Sequence, residues 1–409
     1  MNRDNIDAIS EALSEYYSEF QNTIEQYAIY QLSQKLDDPT NWKSFQLKHY
    51  KDFVNAIDTL FDQFKKKIHQ PIYRAFREVY KDAKEEVKDT REDVKEEKET
   101  SSNKGLLLLP IHLEKKVKNY TNNVYKSVDS LKKNVLNGYK TTINAVSKVK
   151  IYSGSFLYAE VENAMKTGIK DMTMTYRNGR KVSFKAYQEM NVRTTMHQEA
   201  LDYQYESAKE FGVVFYLCSS HADCANDHAE FQGKLYYDRN WKSIAPKEQH
   251  NAISQFISSQ NLMSLQKVRD GKPYLTTRPN CRHDFKPLTL NQVLNSSVNE
   301  LLKEHKMIRG KYDKEKYTNL QYQRKYERQV RNAKQEVDSL ELELKNAKDP
   351  AMINDIQKKL KLKKSLVHKY QRNLNSLVKQ NSYLKRDYRR EDYKTIVQDV
   401  GYKYNKDKK

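Results

Sequence analysis

Ten glycines and eight prolines in 409 residues leave few places where this chain can reverse direction tightly. Usage that sparse favours long helices over turn-rich sheets. The hydrophobic pattern agrees: Ile6, Ile9, Leu13, Tyr16 and Tyr17 recur at three- and four-residue spacing, and similar stripes run through "FVNAIDTLFDQF". Residues 1–150 are therefore expected to form an N-terminal helical region. Near 81–104 lies a charged spacer, "KDAKEEVKDTREDVKEEKETSSNK", expected to be a solvated helix held by charge pairs one turn apart and ending in a joint at Ser101 to Gly105.

After Asn295 the helical pattern becomes heptad. Tyr326, Val330, Ala333, Val337, Leu340, Leu344 and Ala347 alternate by four and three, which is the spacing of a coiled-coil seam. "KDPAM" interrupts it, with Asp349 suited to an N-cap and Pro350 to the first position of a new helix. A second arm follows through Ile353, Ile356, Leu360, Val367, Tyr370, Leu374, Leu377, Leu384 and Tyr388, with Lys363 and Asn381 breaking its seam. Two arms around a short break predict an antiparallel coiled-coil hairpin within 297–409. Of the net charge of +20, about +15 lies in residues 301–409. Lys361, Lys363, Lys364, Lys369, Arg372, Lys385, Arg386, Arg389 and Arg390 carry much of that excess. They are candidates for contact with nucleic-acid phosphate or with an acidic partner surface, and a solvated coiled-coil face is the plain alternative.

Between these regions the texture changes. Residues 151–296 hold the strand-like "GVVFYLCSS" and the turn signal Asn178-Gly179, as a small central α+β domain would. The whole chain thus reads as mainly α, and 37% hydrophobic against 31% charged residues argues against one large core. Three cysteines make no disulfide framework, which suits a reducing cytosol. The opening residues lack a secretory pattern, and the apolar run "GLLLLPI" is too short to span a bilayer.

Two of the three cysteines and two of the ten histidines fall within "CSSHADCANDHAEF", residues 218–231, and "RPNCRHDF" adds Cys281 and His283. If the first stretch is helical, Cys224 and His228 share one face; if the second is extended, Cys281 and His283 do too. Two sulfurs and two imidazoles brought together would make a closed tetrahedral zinc site, with His221 as an alternative ligand. The competing reading is a packed turn, in which the cysteines are small buried residues and the histidines bond backbone carbonyls. Acids and bases around His221 and His228 also permit a zinc-dependent nuclease or hydrolase, although no Walker loop, HExxH or nucleophile elbow is present.

Four ordered blocks, "GIKDMT", "NGRKVSFKAYQEMNVRTT", "SSHADCANDHAEFQGKLYY" and "NCRHDFKPL", resemble the minor capsid protein 2 family of tailed bacteriophages, akin to the Mu-F-type head morphogenesis proteins. Relatives of that kind often carry a second cysteine where this chain has His228. The resemblance implies a minor head component at or near the portal, made in the host bacterial cytoplasm and located in the virion head. Its implied partners are portal, capsid or scaffold proteins, and packaged DNA. Within the blocks, Gly179 and Gly233 suit turns of positive φ. Arg180, Arg193 and Arg282 suit structural pairing with carboxylates such as Glu189, Asp223 or Asp227.

Overall fold

The computed structural model describes residues 3–97, 109–146, 157, 161, 173–175, 179, 181–347, 350–386 and 388–391. The fold is mainly α. Four helices come first: α1 (Arg3–Ser33), α2 (Trp42–Lys48), α3 (Tyr50–Glu97) and α4 (Leu109–Val146). After strands β1 (Thr173–Thr175) and β2 (Lys181–Ser183) comes α5 (Phe184–Glu210). The middle of the chain holds β3 (Phe215–Cys218), β4 (Ser220–His221), β5 (Leu235–Tyr237), α6 (Trp241–Ile244), α7 (His250–Ser259), β6 (Met263–Ser264) and α8 (Leu265–Arg269). It closes with β7 (Phe285–Leu288), α9 (Leu290–Asn295), α10 (Val298–Glu304) and β8 (Ile308–Arg309). The last helices are α11 (Lys314–Asn346), α12 (Pro350–Gln380) and the short α13 (Tyr388–Glu391). Among the described residues no helix is long and apolar enough to cross a membrane.

The chain divides into two compact units. One comprises Met1–Leu13, Gln70–Tyr120 and Glu189–Thr318; the other comprises Ser14–His69, Thr121–Gln188 and Asn319–Lys409. In the first unit a four-stranded sheet of order β6-β5-β3-β7 supplies the core, with β3 antiparallel to both neighbours. All four β3 residues are buried. Because side chains alternate across a strand, Phe215 and Leu217 join one apolar cluster while Tyr216 and Cys218 join another. The apolar run "GVVFYLC" thus ends in a strand, Phe215–Cys218, buried on both faces, which explains why it lacks polar alternation. Two capping boxes start the helices that follow the sheet: Thr289 with Gln292 opens α9, and Ser297 with Glu300 opens α10.

A second, two-stranded parallel pairing sets Ser220 against Ile308 and His221 against Arg309. It brings Gly310 (φ +109) so close to Ala222 that an added Cβ would lie 2.9 Å from the Ala222 Cβ. Gly310→Ala should therefore lose about 1–3 kcal/mol through strain and clash. Loss of hydrogen-exchange protection across 219–222 checks it, and unchanged protection would contradict the close approach.

In the second unit, the stripes expected in the N-terminal region pack through aromatic rings. Phe20 stacks on Phe64 at 4.0 Å between centroids, and Phe53 on Tyr139 at 3.8 Å. Tyr16, placed in the apolar stripe by spacing, is instead 37% exposed, whereas Tyr17 is fully buried. Spacing alone cannot tell which of two adjacent tyrosines lies nearer the centre of a stripe. The joint expected at 101–105 lies outside the described residues, as does Asp349.

The start of α11 lies beside the residue that follows α12, while the later part of α11 lies beside the middle of α12. Asn319 donates to Asn381, Glu336 bonds Lys363, and Glu341 bonds Lys364 at 2.9 Å, so the helices are antiparallel. Val330, Ala333, Leu340, Ile356 and Leu374 are buried, whereas Tyr388, placed in the seam by spacing, is 67% exposed because α12 ends at Gln380 and Tyr388 begins the separate α13. Gln323, Glu327 and Glu343 are buried with them, and hydrophobic periodicity cannot register these. Gln323 donates to Glu327 and to the Lys385 carbonyl, which meets the need of a buried amide for partners. The seam breakers are likewise accommodated: Lys363 is ion-paired, and Asn381 also donates to the Leu377 carbonyl.

Candidate metal centre

At the end of β3 the chain leaves the sheet, and its next backbone groups bond to three separate segments. Ser219 N–H donates to the Asp284 carbonyl, Ser220 N–H to the Met307 carbonyl, and His221 N–H to Gln232 Oε1. Gln232 returns the last bond by donating from Nε2 to the His221 carbonyl. That exchange fixes the orientation of the Gln232 amide.

Residues 224–229 do not form the α-helix that would set Cys224 and His228 on one face. Ala225 is extended (φ −64, ψ 147), and only a single 3-10 turn, Asn226–His228, follows. That turn ends with His228 buried. The second conditional expectation fares better: the chain at 281–284 leads into β7, and Cys281 Sγ lies 3.4 Å from His283 Nδ1. From the 3-10 turn, His228 presents Nδ1 to the same sulfur at 3.7 Å. Ligand atoms of His228, Cys281 and His283 all fall within 4.8 Å of one another, and Cys224 is not in this group. His221 is not in it either, although its ring stands edge-on to His283 at 4.9 Å.

The far side of each imidazole is also engaged. His228 Nε2 lies 3.0 Å from the Pro273 carbonyl, and His283 Nε2 lies 3.1 Å from Gln232 Oε1. Both partners are carbonyl oxygens, which only accept, so each Nε2 carries the proton and each Nδ1 presents its lone pair towards the sulfur. Thr276 N–H donates to the sulfur at 3.1 Å. Burial dominates the titration here. It lowers the His228 pKa, against the Pro273 bond, and raises the Cys281 thiol. Burial also pushes the Cys224 thiol up to about 11.

Around the cluster lies a buried polar frame that sequence reasoning did not single out. His197, on α5, bonds the His283 carbonyl through Nε2 at 3.0 Å, and its Nδ1 lies 3.8 Å from Asp284. Asp284 pairs with Arg309 at 2.7 Å. Ser219 Oγ lies 2.9 Å from His221 Nε2 and accepts from Asp284 N–H. A Ser-His pair is the arrangement of a nucleophile and its base. Here the serine is 0% exposed and the histidine 2%, so no substrate reaches the hydroxyl in this conformation. Asp227 forms a two-bond pair with Arg278, which outweighs burial and holds its carboxyl below the ordinary value.

The other predicted residues fall as follows. Gly179 and Gly233 both have positive φ, at 80° and 66°. Arg193 bonds Glu189 one turn back at 3.0 Å, whereas Arg282 is half-buried between Cys281 and His283. Arg180 lies outside the described residues. In the basic hairpin, Lys363 and Lys364 pair with α11, and Arg386 with Glu391. Lys361, Lys369, Arg372 and Lys385 are exposed, and among the described residues no ion pair takes them up. Arg389 and Arg390 belong to α13, but their side chains lie outside the description.

A family model described as "Phage minor capsid protein 2" matches residues 1–379. A curated relative, a "Structural protein" of Lactococcus phage LL-H, is 25% identical over 288 residues, covering 68% of this chain and 67% of its own. No solved structure matches.

Proposed function

Because the chain belongs to the phage minor capsid protein 2 family, we propose that it is a minor head component of the virion, assembled at or near the portal. Its family membership over residues 1–379 carries that reading. The role is structural rather than enzymatic, in keeping with a Ser219-His221 pair that is buried out of a substrate's reach. Cross-linking mass spectrometry of purified heads tests it: cross-links to the portal protein are expected, and absence of the chain from mature heads would refute it.

The hairpin adds a DNA contact to this role. Lys358, Lys361, Lys369, Arg372 and Lys379 are all exposed, and at 100° per residue they fall within an 80° arc of α12. The residues between them on this face, including Asn354, Ser365, His368 and Ser376, are uncharged or titrate only as bases. The stripe runs about 31 Å along the helix, the length of about nine base pairs of duplex. Such a face binds phosphate by counterion release and reads no sequence.

Neutralising these five residues to Gln should flatten the dependence of log K on log salt by about 0.9 per lost contact, so by about 4.5 in all. Affinity for random-sequence duplex measured across salt concentrations checks it. An unchanged slope, or capture of an acidic capsid protein with no DNA binding at all, would assign the stripe elsewhere.

A further inference from the structure

We propose that Cys281 Sγ, His228 Nδ1 and His283 Nδ1 together bind one zinc ion, with Cys224 outside the coordination shell. Counting protons in the cluster leads there. Both imidazole N–H groups are spent on carbonyl oxygens, at Pro273 and Gln232. Both Nδ1 lone pairs therefore converge on one sulfur, at 3.7 and 3.4 Å. A thiol has a single hydrogen and can serve one of those two acceptors. A cation serves both imidazoles at once and turns the sulfur into a thiolate, which the Thr276 N–H already faces as a donor. This leaves one more atom seeking a proton than the cluster can supply, and a divalent metal resolves the shortage.

The outer partners are those a metal site needs. A ligating imidazole characteristically donates its other N–H to a carbonyl or carboxylate, which sets the tautomer and aims the lone pair. Here that partner is a main-chain carbonyl for His228 and an amide oxygen for His283, and the amide is itself locked by its exchange with His221. Two nitrogens and one thiolate suit zinc, whose tetrahedral preference leaves its fourth position to a donor outside this trio. Cys224 is not in the group whose ligand atoms lie within 4.8 Å of one another, and the extended Ala225 parts it from the 3-10 turn that carries His228. The ion would join the 3-10 turn to the segment entering β7, two stretches 53 residues apart. This inference rests on the cluster alone and is independent of the virion and DNA readings.

The test uses the full chain, purified under reducing conditions without chelator. Elemental mass spectrometry should find about one zinc per chain in wild type and in Cys224→Ser, and less than a tenth of that in Cys281→Ser and His283→Ala. Because the last two can misfold, wild-type protein stripped of metal is also titrated with Co2+. A one-to-one rise of the thiolate-to-cobalt band, together with tetrahedral visible absorption, is expected. Absence of both metal and that band overturns the site. Loss of zinc from Cys224→Ser overturns the three-ligand assignment.

Discussion

Phe215→Ala should destabilise the unit built on the β3 sheet by about 3–5 kcal/mol. Phe215 is 0% exposed and lies in β3, an interior strand of the sheet, opposite Tyr237 of β5 and Leu288 of β7. Its ring meets Phe256 of α7 edge-on at 5.4 Å, so truncation removes an aromatic pair along with the buried area. The β3 backbone is tied on both edges, so the strand cannot move in to refill the cavity. Hydrogen exchange at graded denaturant reads β3 amides separately from the rest of a chain whose unfolding need not be two-state. A change below 1 kcal/mol at those amides would mean that β3 is not the centre of this core.

The second large effect concerns the other unit. Trp42→Ala should also cost about 3–5 kcal/mol, and Trp42→Phe about 1–3 kcal/mol. Trp42 is 1% exposed, and its indole N–H donates to the Leu32 carbonyl at 3.1 Å. That carbonyl belongs to the last turn of α1, where main-chain acceptors lack helical partners. Gln46, one turn further along α2, donates to the Gln31 and Gln34 carbonyls, and the Tyr139 hydroxyl donates to Gln46 Oε1 at 2.6 Å. The short α2 therefore serves as a side-chain cap for α1. The Phe variant keeps most of the buried volume and loses only the donor, so the two variants separate packing from capping. Equal losses in both would show that the hydrogen bond dominates, and negligible loss in both would refute the capping account.

The long helices and the new helix that starts at Pro350 were legible because periodicity and chain breakers are local signals. The strand Phe215–Cys218, within the strand-like "GVVFYLCSS", was legible for the same reason. The buried Gln323, Glu327 and Glu343 of α11 were not, since a polar side chain is buried only where neighbours meet its hydrogen-bonding needs, and periodicity carries no record of those neighbours. At the Cys-His cluster the Cys281-His283 pair followed from a two-residue spacing in extended chain. The Cys224-His228 pair did not, because it presumed a helix that the extended Ala225 prevents.

The sequence by itself determined the helical class, the phage capsid resemblance and the basic tail, all of which reside in composition, period and ordered motifs. Tertiary structure alone decided which cysteine meets the histidines and which oxygens set their tautomers. Pro273 reaches His228 across 45 residues and Gln232 reaches His283 across 51, and no spacing rule spans such distances. Partners of that kind meet only when the sheet that separates them in sequence has folded, and they then fix where each lone pair points.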